Sequence, residues 1–172
     1  MMSDSLLPDD IVELARRVVA ENVAAGRTVA LAESCTGGLV SAAITEIAGS
    51  SAVLDRGFVT YSNESKRETL GVAGDILDTF GAVSVATAWA MAQGALKHSG
   101  ADVAVAISGI AGPDGGSEMK PVGTVVFARA VRGSEEVNAE ERQLDGSSRA
   151  AVRRQATIVA LELLLPEPPT EK

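Results

Sequence analysis

The sequence is poor in the residues that most catalytic and binding machinery draws on. Its 172 residues contain one histidine, one cysteine, one tyrosine, one tryptophan and four lysines. A single histidine excludes a multi-histidine metal site. A single cysteine excludes an intramolecular disulfide and argues against structural zinc. Aromatics amount to 3%, too few for a platform on which nucleic-acid bases stack. Positive charge is also scarce: 15 Lys and Arg face 23 Asp and Glu, for a net charge of −8. Such a chain lacks the cationic face that non-specific nucleic-acid binding needs. No apolar run approaches the ~20 residues of a membrane span. The start, Met1 to Asp10, carries Asp4, Asp9 and Asp10 and no basic n-region, so it does not read as a secretory signal. The expectation is a cytoplasmic protein without metal or cofactor, and with no nucleic-acid or membrane partner.

What is present points to one globular unit. Apolar residues make up 46%, and the length suits a single domain over 1–172 with an ordered core of about 9–165. Ala is the commonest residue and Gly numbers 17, which suits helices packed closely on strands. Ile11, Leu14, Ala15, Val18 and Val19 recur at helical spacing. They predict a helix over Asp9 to Ala25, stopped by Gly26. Short apolar strands are predicted at Thr28–Ala32, Arg56–Ser62 and Asp102–Ile107. Helices are predicted at Gly38–Ala48, from an Asn63 or Ser65 cap to Gly71, at Gly74–Phe80 and at Ser84–His98. After a loop over Ser108–Pro121, Gly123–Val131 and Glu136–Leu144 read as a hairpin. Ser147–Leu165 reads as the last helix, and the Pro-containing tail from Pro166 to Lys172 as frayed. This alternation predicts an α/β fold, a three-layer α/β/α sandwich with a mixed, mainly parallel sheet.

In such sheets ligands gather beyond the carboxyl ends of the strands. That rule selects three places: Glu33–Gly38, Tyr61–Lys66 and Ser108–Gly116. The first, Glu33-Ser34-Cys35-Thr36-Gly37-Gly38, follows a strand and opens a helix. Its amides can hold a phosphate or a developing oxyanion, and its glycines let a ligand approach the main chain. An ordinary turn capped by Ser34 or Thr36 fits the same residues. A nucleophilic Ser34 needs a base. The lone His98 falls at the end of a helix, so a lysine is the substitute. Lys66 stands at the same end of the sheet, although its charged surroundings, Glu64 to Glu68, equally describe a solvated face. A lysine base must be neutral, and lowering its pKa from about 10.4 to ~7.5 costs roughly 4 kcal/mol. Burial or the cations Arg56, Arg67 and Arg149 are the means available. Tyr61 could relay a proton or position Lys66. The glycine-dense Ser108–Gly116 reads as a ligand-wrapping or subunit-contacting loop. Arg149 and Arg153 share a helix face and could reach an anion. Cys35, at a helix N-terminus, is a rival nucleophile.

Several segments together resemble one family. They are Ala32-Glu-Ser-Cys-Thr-Gly-Gly38, Ile47-Ala-Gly-Ser-Ser-Ala52, Arg56-Gly-Phe-Val-Thr-Tyr-Ser-Asn-Glu64 with Lys66, Gly81-Ala-Val-Ser84, Ser108-Gly-Ile-Ala-Gly-Pro-Asp-Gly-Gly116, Lys120-Pro-Val-Gly-Thr124 and Val152-Arg-Arg-Gln155. The chain resembles the CinA C-terminal domain family, and within it the stand-alone nicotinamide-nucleotide amidohydrolases. The resemblance implies hydrolysis of the carboxamide of nicotinamide mononucleotide to nicotinate mononucleotide and ammonia, in pyridine nucleotide salvage. It implies a metal-free Ser-Lys type site matching Ser34 and Lys66, with Tyr61 nearby, and a homodimer or higher homo-oligomer. The expected substrate contacts are Glu33, Cys35, Thr36, Gly37 and Gly38 of the turn, Asn63, the loop residues Ser108, Gly109 and Gly112, and Arg149. A non-catalytic nucleotide-binding or regulatory module is the alternative expectation.

Overall fold

A computed structural model of the chain describes residues 4–167. Its helices are α1 (Asp9–Ala25), α2 (Leu39–Thr45), α3 (Asn63–Leu70), α4 (Gly74–Phe80), α5 (Val85–Lys97) and α6 (Arg149–Leu164). Its strands are β1 (Val29–Glu33), β2 (Leu54–Val59), β3 (Val103–Gly109), β4 (Thr124–Val131) and β5 (Asn138–Gln143), with a short 3₁₀ turn at Ser50–Ala52. The sheet order is β2-β1-β3-β4-β5. β1 pairs in parallel with both β2 and β3, whereas β4 runs antiparallel to β3 and to β5. Four strands therefore share one direction and β4 opposes them, which is the mixed, mainly parallel sheet expected.

The two faces of the sheet differ in side-chain size, and the difference sets the layers. Val29, Leu31, Val105, Ile107, Val125 and Phe127 point to the side of α1, α2 and α6. Ala30, Ala32, Ala104, Ala106, Ala128 and Ala130 point to the other side, against α5. Small residues let α5 lie close, and its own Ala88, Ala92 and Ala95 complete a tight seam. Gly94 carries the same logic one layer further. A Cβ there would come within 2.1 Å of the Leu70 carbonyl. Only glycine lets α3 dock on α5 at that distance, and α3 carries Lys66.

Most boundaries shift by a few residues from those read in the sequence. The second strand ends at Val59, which leaves Thr60 to Ser62 free to shape the site. Ser62, rather than Asn63 or Ser65, caps α3, its Oγ accepting from the Ser65 amide at 3.0 Å. Ser148 caps α6 in the same way, accepting from the Ala151 amide at 3.0 Å. The part of the expected frayed tail from 168 to 172 lies outside the described residues. Among the described residues, no helix is long and apolar enough to cross a membrane.

Candidate active site

A cleft of about 250 Å³ opens beyond the carboxyl ends of β1 and β3, where a sheet of this kind gathers ligands. Ser34 and Cys35 enter it from the β1–α2 turn, and Tyr61 and Lys66 from the β2–α3 junction. Ala82 and Val83 line it from the α4–α5 connector. The end of β3 contributes Ser108 and Gly109, the loop after it Ile110 to Gly112 with Asp114 and Gly115, and α6 contributes Arg149.

The β1–α2 turn is held from below. The Ser34 amide donates to the Ile107 carbonyl at 2.9 Å, so the turn is stitched to β3. Gly37 and Gly38 have φ of 61° and 105°, the left-handed region where a Cβ is costly. Gly38 is the N-cap of α2 and brings no side chain to its amides. Glu33 does that work. Its carboxylate accepts from the amides of Val40 (3.0 Å) and Ser41 (3.1 Å) and from the hydroxyls of Thr36 (2.7 Å) and Ser41 (2.8 Å). Glu33 and Thr36 are fully buried, so both expected substrate contacts act beneath the turn instead. The expected caps Ser34 and Thr36 give way to the same carboxylate. Glu33→Ala would leave four donors without their acceptor, two of them, the Val40 amide and the Thr36 hydroxyl, buried. It should cost at least about 3 kcal/mol of stability in urea unfolding.

Arg153 supports the turn from the other side. Its Nε donates to the Cys35 carbonyl at 3.1 Å and its Nη2 to that of Thr36 at 3.3 Å. Arg154 pairs with Asp10 at 2.8 Å. Of these three arginines, Arg149 alone lines the cleft. It donates to the Gly112 carbonyl at 2.7 Å and to the Tyr61 hydroxyl at 2.9 Å.

Lys66 is the unusual residue. It lies one helical turn before Leu70 on the buried face of α3, a position suited to an apolar side chain, and is 1% exposed. The solvated reading of its charged run is therefore wrong for this one residue. Its Nζ sits 3.0 Å from Ser34 Oγ, 2.8 Å from the Thr60 carbonyl and 3.4 Å from the Tyr61 carbonyl. No carboxylate pairs with it among the described residues. Burial holds its pKa below the ordinary lysine value. Burial, not the expected cations, is the cause: Arg56 is exposed, bonded to Asp55 and to the His98 carbonyl, Arg67 is exposed too, and Arg149 is turned to the Gly112 carbonyl and the Tyr61 hydroxyl. A neutral amine has two hydrogens and one lone pair. In the neutral form the two carbonyls can take both hydrogens, which leaves the lone pair for the Ser34 hydroxyl.

Tyr61 differs from expectation in the same region. Its side chain is 63% exposed and its hydroxyl accepts from Arg149, so only its carbonyl touches Lys66. A proton relay through the hydroxyl has no path here. Asn63 is exposed and does not line the cleft, nor do Gly37 and Gly38. Ser108 does line it, but its hydroxyl donates to the Ala82 carbonyl at 2.8 Å. Gly109 and Gly112 line it through the main chain. His98 caps the far end of α5, about 20 Å along the helix from the Val83 end at 1.5 Å per residue. A Ser-His pair is thereby excluded.

Cys35 is 5% exposed, and burial, with the negative charge of Glu33 adding to it, raises its thiol pKa to about 11. A thiol that is protonated at neutral pH is a poor nucleophile. Iodoacetamide at neutral pH should therefore leave turnover within about twofold of the untreated protein, as an ammonia assay would read. The sequence reading placed Ile110 and Asp114 within a ligand-wrapping loop without singling them out, and it missed Ala82 and Val83 as cleft residues and Arg153 as the brace of the turn. Ala82 and Val83 lay inside a matched motif, but nothing local marked them as a wall.

The fold and site define a class: an α/β/α sandwich whose strand-to-helix turn presents a serine to a buried, unpaired lysine. Comparison with known proteins agrees. Residues 11–167 match the CinA C-terminal domain. The chain is 53% identical over 163 residues to the nicotinamide-nucleotide amidohydrolase PncC of Escherichia coli strain K12, covering 95% of each protein. It is 46% identical over 163 residues to a CinA-like protein of Shewanella loihica, covering 95% of this chain and 38% of that relative. The crystal structure of competence/damage inducible protein CihA from Agrobacterium tumefaciens superposes with a TM-score of 0.90 at 53% identity, covering 95% of this chain and 97% of that one. The chain belongs to the CinA C-terminal domain family.

Proposed function

We propose that the protein hydrolyses the carboxamide of nicotinamide mononucleotide to nicotinate mononucleotide and ammonia. The observation that carries the reading is the buried Lys66 Nζ, 3.0 Å from Ser34 Oγ and without a counter-ion among the described residues. The relative named a nicotinamide-nucleotide amidohydrolase, at 53% identity over nearly its full length, supplies the substrate class.

Ser34 Oγ attacks the amide carbon while Lys66 Nζ takes the hydroxyl proton. The carbonyl oxygen becomes an oxyanion held by an amide of the turn. The Gly37 amide is already spent on the Ser34 carbonyl at 3.0 Å, and of the residues after Ser34 in the turn Cys35 lines the cleft, so the role falls to the Cys35 amide. The C–N bond then breaks, and Lys66 returns the proton to the departing nitrogen, which leaves as ammonia. Water adds to the acyl-enzyme and gives a proton to Lys66. The nicotinate carboxyl leaves, and Lys66 passes the proton back to Ser34. Arg149, at the cleft rim, offers a guanidinium fork for the 5′-phosphate. A role in pyridine nucleotide salvage, a cytoplasmic setting and a homo-oligomeric assembly belong to the same reading.

The test is ammonia release from nicotinamide mononucleotide by the purified protein, with and without EDTA. Equal release in both supports a metal-free amidase. A folded protein that binds the mononucleotide and releases no ammonia would instead be a binding module.

A further inference from the structure

Residues Phe80 to Val83 link α4 to α5, and Ala82 and Val83 line the cleft. Beyond Phe80 the connector belongs to no helix or strand, so its carbonyls need partners from elsewhere. All four successive carbonyls have side-chain donors. That of Phe80 accepts from Lys120 Nζ at 3.2 Å. That of Gly81 accepts from the hydroxyls of Ser84 at 3.1 Å and Thr87 at 2.7 Å. That of Ala82 accepts from Ser108 Oγ at 2.8 Å, and that of Val83 from the same Lys120 Nζ.

Ser84 and Thr87 are local, since they form the first turn of α5. Lys120 and Ser108 are not. Ser108 lies at the end of β3 and Lys120 at the far end of the glycine-rich loop that follows it, so they tie one wall of the cleft to another. The ammonium makes charge-assisted bonds, and it sits at the carboxyl end of α4, which has no basic residue of its own there. Lys120 is itself fixed by a tight turn. Its amide donates to Ser117 Oγ at 3.1 Å, and its carbonyl accepts from the Ser117 amide at 2.9 Å. Its side chain does not line the cleft.

We propose that Lys120 is a positioning residue for the substrate ring. It locks the apolar Ala82–Val83 wall to the glycine-rich loop, and so sets the width of the slot in which a flat, amide-bearing ring lies before Ser34. Ser108 is the second tie of the same wall. The inference rests on the proposed amidohydrolase activity. A wall that must be ordered on binding weakens binding. The Ser34–Lys66 pair stands on the β1–α2 turn and α3, outside the connector, and keeps its geometry.

Lys120→Met should therefore raise KM for nicotinamide mononucleotide about tenfold, with kcat changed by less than about threefold. Lys120→Arg keeps the charge and the donors and should restore most of the loss. Ser108→Ala should act in the same direction. The Lys120→Met/Ser108→Ala double variant should raise KM by less than the product of the single effects, because both grip one segment. Hydrogen exchange of the amides over residues 81–87, without substrate, should be faster in Lys120→Met and normal in Lys120→Arg. An unchanged KM, a fall in kcat at constant KM, or unchanged exchange would each overturn the proposal. If Lys120→Met does not fold, Ser108→Ala carries the same KM and exchange test. If the wild-type protein releases no ammonia, the amidohydrolase reading fails, and hydrogen exchange still decides whether Lys120 orders the wall.

Discussion

Ser34→Ala is expected to lower ammonia release from nicotinamide mononucleotide by about 10⁴-fold or more, with the mononucleotide still bound. The size of the effect follows from the scarcity of alternatives. The other cleft hydroxyl on a strand end, Ser108, donates to the Ala82 carbonyl and is 1% exposed. The Cys35 thiol is held protonated by burial. Among the described residues, no other group stands at hydrogen-bond distance from Lys66 Nζ with a proton to give. The fold should tolerate the change. Lys66 keeps its two carbonyl partners, and one neutral hydrogen bond is worth about 1 kcal/mol. Arg149 and the Ala82–Val83 wall are untouched, so the dissociation constant in titration calorimetry should move only a few-fold. Turnover within tenfold of wild type would mean that Lys66 activates water directly and that Ser34 is a ligand contact.

The parts of the fold that were legible in the sequence are those decided locally. The bounds of α1 follow from its periodic apolar residues and from Gly26, and those of α4 from glycines at its start and just past its end. The site was legible only as a set of segments. Glu33 shows the limit. It belongs to the motif that carries Ser34, and the motif alone suggests a ligand contact. Strand alternation argues otherwise, because Glu33 shares a face with Leu31 and Val29, which point into the core. That signal was in the sequence and outweighs motif membership. Lys66 shows a different limit. Helical spacing pairs it with Leu70, but only the approach of α5 at Gly94 makes that face a buried one. The braces of the site are long-range. Arg153 reaches residues 118 and 117 positions away, and Lys120 reaches 40 and 37 positions back. No local pattern encodes such contacts. They are consequences of the sheet order.

Lys66→Met should abolish turnover and also change how stability depends on pH. The folded-state pKa of Lys66 is lowered from its ordinary value of 10.5 by burial. Between that lowered value and 10.5, the unfolded chain binds a proton that the folded chain does not. Unfolding in this window takes up a proton, so wild-type stability rises with pH and levels off above 10.5. The methionine variant lacks this slope. The difference in Tm should therefore move in favour of the wild type as the pH is raised toward 10.5, and thermal unfolding across a pH series would show it. The same ionisation governs activity in the same direction. Only the neutral amine can take the Ser34 proton, so kcat/KM should climb with pH through the lowered pKa and then level off. Lys66→Arg would separate charge from basicity. A guanidinium stays protonated, so this variant should be as inactive as the methionine variant, and less stable, because its charge is buried without a carboxylate. A wild-type rate that falls as the pH rises would make the ammonium the working form, and Lys66 would then be an electrostatic contact rather than a base.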